Sequence, residues 1–248
     1  MHSALIIPIT KRSLNMLKKD LILKNPLRHL EYETEDILPE GGFGAILSRA
    51  GVGKTALLVQ LALNNMLRNK NILHISLNEP VKKIGLWYES ALRNIAAQHH
   101  IQEIHKLWEA ILPHRFIMSF RVEGFSVPRL EERLTDLSEQ GIFFPQMVLI
   151  DGLPFDENTD GCLKELKEFA RAHALHVWFA VRTHRDDETG ENGIPQQFSS
   201  VSDLFEVVVQ LQPEGKQIHV KLLKGRVGVS DYRPLFLDPS TMLIKEAS

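Results

Sequence analysis

Short apolar runs alternate with longer stretches of helical period, which predicts an α/β fold with a mostly parallel central sheet flanked by helices. A second observation concerns the close of the chain. Two strand-like runs, Leu204 to Leu211 and Ile218 to Leu223, are joined by Pro213-Glu214-Gly215, which predicts antiparallel strands at the sheet edge. The third is length: 248 residues fit one large domain better than two small ones. Residues 1–36 read as a helical segment and connector, and residues 37–248 as the α/β domain.

The leading segment has no period-2 pattern. Leu14, Leu17, Leu21 and Leu23 stand among scattered Lys and Arg, as in a short amphipathic helix limited by Pro26. Such a helix caps its own domain or packs on a neighbouring copy, and the pattern admits both. Glu40-Gly41-Gly42 is a turn, and Phe43 to Leu47 is the first buried strand. The next helix, Thr55 to about Leu67, is apolar nearly all round and is expected to lie against the sheet. A second strand, Ile72 to Leu77, ends in Asn78-Glu79-Pro80. Val81 to about Ala97 places Ile84, Trp87, Ala91, Leu92 and Ile95 at helical spacing, and Ile101 to Leu112 closes at Pro113. Phe116 to Phe120 is the third strand, and Leu130, Leu134 and Leu137 mark a helix ending at Gly141. Met147 to Asp151 is four apolar residues and a carboxylate. A helix carrying Leu163, Leu166 and Phe169 follows, then a strand, Val177 to Val181, then a polar loop from Thr183 to about Ser200.

Between the first strand and its helix lies Ser48-Arg49-Ala50-Gly51-Val52-Gly53-Lys54-Thr55. Strand, glycine-bearing loop and helix in that order make a phosphate-binding loop. A triphosphate concentrates negative charge, so it needs many donors converging with no side chains in the way. Gly51 and Gly53 let the backbone curl with its N–H groups inward, and the helix adds its own unsatisfied N–H groups and positive dipole end. Lys54 is expected to reach the β- and γ-phosphates, and the Thr55 hydroxyl to hold Mg2+. The full pattern begins with Gly, and Ser48 departs from it. A tight strand–helix turn with a solvated lysine is the plainer reading of the same residues.

Asp151 ends a buried strand, the position from which an acidic residue holds magnesium in phosphate-loop enzymes. Ligands of open α/β sheets bind at the carboxyl ends of strands, so Asp151 and Lys54 are expected to face one crevice. Glu79, ending the strand after the loop helix, is placed to orient or deprotonate a water near the γ-phosphate. It is also a favourable acid ahead of a helix N-terminus, and the two roles are compatible.

Composition narrows the alternatives. A net charge of −2 offers no bulk basic field for nucleic acid or anionic membrane. A single cysteine, Cys162, excludes an internal disulfide, and the Leu5–Ile7 run is too short for a signal-peptide core. No stretch approaches the roughly 18 apolar residues of a membrane span, so a cytoplasmic location is expected. His99, His100, His105, His173 and His176 lack partner ligands at zinc spacing, and Trp87, Trp108 and Trp178 fall at packing positions.

The order of elements resembles the RecA-type P-loop ATPase core, and particularly its KaiC-like branch. The likeness runs from Leu38-Pro39-Glu40-Gly41 through Gly51-Val52-Gly53-Lys54-Thr55, Asn78-Glu79 and Leu149-Ile150-Asp151-Gly152 to Lys224-Gly225-Arg226. It implies ATP with Mg2+, hydrolysis, and assembly into a homo-oligomer such as a hexameric ring. The family places one or two carboxylates after the second strand to act on the attacking water. Here Asn78 occupies the first position and only Glu79 is acidic. An amide orients water but cannot take its proton, so slow hydrolysis is a consistent alternative. The family's late Lys-x-Arg, matched by Lys224 and Arg226, reaches a nucleotide on the adjacent subunit. Read without the family, the pair is a basic hairpin end facing water.

DNA-handling relatives thread their substrate past the loops after the fourth and fifth strands. Here those loops, 153–160 and 183–191, are dominated by carboxylates, with Arg185 the one fixed positive charge. A phosphate backbone is repelled there. The sequence therefore predicts an ATP-binding, Mg-dependent, ATP-hydrolysing oligomer. A nucleotide-dependent regulatory or scaffold module with a protein partner is the second reading, and a DNA recombination or repair accessory factor the third.

Overall fold

Side-chain alternation decides the two faces of the sheet. Ile46, Leu149 and Trp178 turn to one side, while Ala45, Val148 and Phe179 turn to the other, and all six are buried. Strands buried on both faces require helices on both, and that is the architecture found in the computed structural model, which describes residues 11–30, 36–156, 159–184, 190, 193–225 and 234–247.

The strands are β1 (Phe43–Ser48), β2 (Ile72–Ser76), β3 (Arg115–Ser119), β4 (Met147–Asp151), β5 (His176–Arg182), β6 (Val207–Glu214), β7 (Gln217–Lys224), β8 (Leu235–Leu237) and β9 (Ile244–Glu246). They form one sheet in the order β3-β2-β4-β5-β1-β6-β7-β8-β9. β3 through β6 in that order are parallel, so their carboxyl ends share one edge. β6 to β9 are antiparallel. The central sheet and its antiparallel close are as the sequence predicts.

One face carries α1 (Lys11–Lys24), α2 (Lys54–Leu67), α3 (Val81–Gln98) and α4 (Ile104–Ile111). From these, Leu21, Leu61, Tyr88 and Leu107 enter a single core with Ile46 and Trp178. The other face carries α5 (Val127–Glu139), α6 (Thr159–Ala172) and the four-residue α7 (Gln196–Ser199). A cluster of Phe43, Phe155, Phe179, Phe198 and Phe205 fills the space beneath α7, with Phe198 and Phe205 centroids 4.8 Å apart.

α1 packs on α2 of its own chain. Leu21 is buried there, the Lys18 ammonium donates to Asn69 Oδ1 at 2.9 Å, and Asn25 Nδ2 donates to Asn64 Oδ1 at 3.0 Å. The far end of the sheet is tied to α2 as well. Gln60 Nε2 donates to the Met242 carbonyl and Gln60 Oε1 accepts from Ile244 N–H, both at 2.8 Å.

Several details differ from the sequence reading. The polar loop after β5 contains α7, because Phe198 supplies a fully buried anchor. β6 starts at Val207 rather than Leu204, since Ser202–Leu204 forms a 3₁₀ turn. Pro213 still pairs with Ile218, so the hairpin turn is the two residues Gly215-Lys216, with Gly215 at φ 59°. The stretch Ile101 to Leu112 is helical only over Ile104–Ile111. β8 and β9, three residues each, extend the antiparallel edge beyond the expected hairpin. No helix among the described residues is long and apolar enough to cross a membrane.

Candidate functional site

β1 delivers its last residue, Ser48, to the carboxyl edge of the sheet, and the chain turns at once into a loop and α2. Gly51 sits at φ 77° with open space where a Cβ would be. Gly53 sits at φ 119°, and a Cβ there would lie 2.5 Å from Leu237 Cδ2. Both glycines are therefore required by the backbone, and the second also by β8 packing against it. Arg49, Ala50 and Gly51 are exposed and Val52 half-buried, so the loop presents its backbone outward from a buried base.

Lys54, the first residue of α2, folds back across the loop. Its ammonium donates to the carbonyls of Ser48 at 2.8 Å and Arg49 at 2.9 Å, and to Ser48 Oγ at 3.3 Å. The hydroxyl of Ser48, which a glycine at that position of the motif lacks, thus becomes an added acceptor for the lysine. Burial lowers the Lys54 pKa to about 8; Asp151 opposes that fall and the charge of Arg182 adds to it.

One residue on, Thr55 Oγ1 donates to Asp151 Oδ2 at 2.6 Å. Asp151 ends β4, two strands from β1 across β5. Burial pushes its carboxyl up; the Thr55 hydrogen bond and the Lys54 charge oppose this, and Glu79 adds to it. Lys54, Thr55 and Asp151 are therefore one electrostatic unit at the sheet edge.

Glu79 follows β2 at the same edge. Its N–H donates to Ser76 Oγ at 3.0 Å, and its carbonyl accepts from Ser119 Oγ at 3.3 Å. Its carboxylate pairs with Lys83 at 2.7 Å, one turn into α3. Beside it, the Asn78 side chain lies over Gly152, where a Cβ would meet Asn78 Nδ2 at 2.3 Å and φ is 96°. Gly152 gives Asn78 its room directly after the Asp151 strand end.

Lys224 stands apart from this group. It ends β7 opposite Val208, near the start of β6, and its ammonium donates to the Ser202 carbonyl at 2.9 Å. The structure does not bring it to the loop of its own chain. Arg226 lies outside the described residues, as do Arg185 and much of the carboxylate run in loop 183–191. Asp156 and Asp160, of the other acidic loop, engage Thr159 Oγ1 and Lys164 respectively.

Sequence reasoning missed Arg182 at the end of β5, Lys83, and the contact of Leu237 with Gly53. Arg182 was hidden because a basic residue at a strand end reads as solvated. Among the described residues no group of three His, Cys, Asp or Glu side chains is placed to hold a metal. The donors at Thr55 and Asp151 are one hydroxyl and one carboxylate, both hard oxygens. They fit Mg2+, with the remaining ligands coming from phosphate and water, and do not fit a cation held by protein alone.

No protein-family model matches the chain, and no curated protein matches it in sequence. A solved structure described as an ATPase domain is similar in fold, with a TM-score of 0.59 and 17% identity over 85% of this chain and 86% of that one. Matches of this kind extend over 414 solved chains, so they identify architecture rather than activity. The fold is α/β with a RecA-like P-loop core. The likeness does not single out the KaiC-like branch.

Proposed function

We propose that this chain is a Mg-dependent ATPase of RecA/KaiC-like type that acts as a homo-oligomer in the cytoplasm. The observation that carries the reading is the unit of Lys54, Thr55 and Asp151, with the 2.6 Å bond from Thr55 to Asp151 joining the loop helix to the β4 carboxylate. The loop N–H groups of residues 48–55 and Lys54 bind the phosphates, and Lys54 must exchange two carbonyl partners for phosphate oxygens to do so. Thr55 and Asp151 would hold Mg2+, which when bound would supply neutralisation of phosphate charge. Glu79 takes the proton of the attacking water, and Asn78 orients that water. Lys224 and Arg226 serve a nucleotide on the adjacent copy, in keeping with the distance of Lys224 from its own loop. Residues 1–36 form the connecting segment and 37–248 the ATPase domain.

A second reading is a nucleotide-gated regulatory module with little turnover. It is favoured by Asn78 in place of a carboxylate and by the hold of Lys83 on Glu79. A role on DNA has only the fold in its favour, against carboxylate-rich loops. The test is phosphate release with Mg-ATP across protein concentrations in wild type, Lys54→Ala, Glu79→Gln and Arg226→Ala. Turnover that rises with concentration and is lost in all three variants supports the assembled ATPase. ATP binding through Lys54 without phosphate release refutes it in favour of the module.

A further inference from the structure

We propose that the outward face of α1 is a docking surface for an anionic lipid bilayer, holding the protein with its nucleotide edge turned away from the membrane. None of the side chains involved belongs to the phosphate-loop site, so the surface stands whether or not the protein hydrolyses ATP.

α1 carries five cations, Lys11, Arg12, Lys18, Lys19 and Lys24, against one carboxylate, Asp20. Its inward face, with Leu14, Leu17 and Leu21, joins the core over α2. Arg12, Met16, Lys19 and Leu23 recur at helical spacing, which sets them along the opposite face in a stripe about 16 Å long. Met16 and Leu23 are each 65% exposed. Arg12 and Lys19 are exposed too, and among the described residues neither makes a hydrogen bond or ion pair. Asp20 is already paired, with Lys24 at 2.8 Å. Two uncommitted cations thus alternate with two unsheltered apolar side chains.

α2 and α3 start at the carboxyl edge of the sheet and finish at its amino edge. α1 lies across their last turns: Lys18 reaches Asn69, and Leu21, Lys24 and Asn25 share a cleft with Leu67 and His99. The stripe is therefore at the end of the molecule away from Lys54 and Asp151. Of the eight exposed large apolar side chains among the described residues, five belong to this end: Met16, Leu23, Leu112, Ile142 and Phe144. Asn71 ties together the loops that carry the last three, since its Oδ1 is 2.8 Å from His114 Nδ1 and its Nδ2 donates to the Phe144 carbonyl at 3.1 Å.

The net charge of −2 does not oppose the surface. In physiological salt a charge is felt over only about 8 Å, so whatever meets α1 meets its cations and not the carboxylates of the far edge. The mixture of side chains selects the partner. A nucleic-acid backbone engages Arg12 and Lys19 and gains nothing from Met16 and Leu23. A second copy docked through the same face sets cation against cation. An anionic bilayer uses both kinds, its headgroups meeting the cations while Met16 and Leu23 reach the acyl boundary.

The experiment is flotation of the full chain with vesicles of phosphatidylcholine alone and of phosphatidylcholine with about one third phosphatidylserine. Binding is expected on the anionic vesicles only, and is lost at about 0.5 M salt. Arg12→Glu with Lys19→Glu should lower partitioning about thirtyfold or more, as for two surface charges. Met16→Gln with Leu23→Gln should lower it about tenfold by removing the inserted apolar surface. Lys164→Glu with Lys216→Glu makes the same change of net charge away from α1 and should leave partitioning within about twofold. All six residues are exposed, so the unfolding temperatures stay close to the wild-type value. No binding to anionic vesicles, equal binding to neutral ones, or an equal loss in the Lys164 and Lys216 variant overturns the assignment. So does retention of duplex DNA, or a dimer dispersed by the Met16 and Leu23 changes, in place of vesicle binding.

Discussion

Raising the pH should weaken nucleotide binding through Lys54 alone. In the free protein burial sets its pKa at about 8. Phosphate oxygens around the ammonium favour its charged form, returning the group to its ordinary value of about 10.4 or above. The sign follows from linkage. The affinity supplied by this charge is complete well below pH 8 and is lost as the pH climbs through 8 towards the bound value. At pH 9 about a tenth of the free protein carries the charge, against about three quarters at pH 7.5, so affinity falls about eightfold between them. The same linkage requires uptake of about 0.9 proton per nucleotide bound at pH 9. Titration calorimetry at pH 9 in two buffers of different ionisation enthalpy reads the uptake directly, and a pH series reads the affinity. Residual binding in Lys54→Ala should be flat with pH. Pronounced wild-type binding that neither weakens nor takes up a proton would refute the assignment of Lys54 as the titrating phosphate ligand.

Asp151→Asn should retain nucleotide yet lose phosphate release by about a hundredfold or more, with the response to magnesium concentration flattened; release assays across a magnesium series check this. Gly53→Ala meets both the 119° φ and the 2.5 Å approach to Leu237, and should cost about 2–4 kcal/mol in denaturant unfolding. Glu206→Ala strands the Lys167 ammonium, 4% exposed and 2.7 Å from its carboxylate, and frees the Phe43 N–H; urea titration should show a loss of about 3 kcal/mol. His74, fully buried against the Tyr88 hydroxyl at 3.0 Å, has a pKa held down to about 3, chiefly by burial with the Arg115 charge adding. The unfolded chain binds that proton below about pH 6.5 and the native state does not, so about 1.5 kcal/mol of stability should vanish between pH 6.5 and 5. The double variant His74→Leu, Tyr88→Phe should flatten that slope in thermal unfolding.

The phosphate loop was legible because two glycines, a lysine and a threonine at fixed spacing between strand and helix have few structural alternatives. The strand end at Asp151 was legible because four apolar residues in a row, Met147 to Ile150, mark a buried parallel strand, and Glu79 was placed by the largely apolar run Ile72 to Leu77 that stops ahead of Pro80. That they share the edge with Lys54 follows from topology; their roles are what the variants test. β8 and β9 were not legible, since three residues carry no period and Leu235–Leu237 is flanked by Pro234 and Asp238-Pro239. α7 was hidden for the same reason of length. Arg182 was hidden because its meaning lies in a register with Ser48, 134 positions away in the chain by numbering, and not in its neighbours.

The staple from Gln60 to Met242 and Ile244 has a consequence for how the protein is made. The loop helix leaves the ribosome well before the groups that seat it, which lie 184 residues later. At about 5–20 residues per second, translation separates the two by about 10–40 s. During that interval the Gln60 amide has no backbone partner from β9 and Gly53 has no Leu237 against it. A nascent chain is thus held back from a finished loop and its seated helix until β9 has been synthesised.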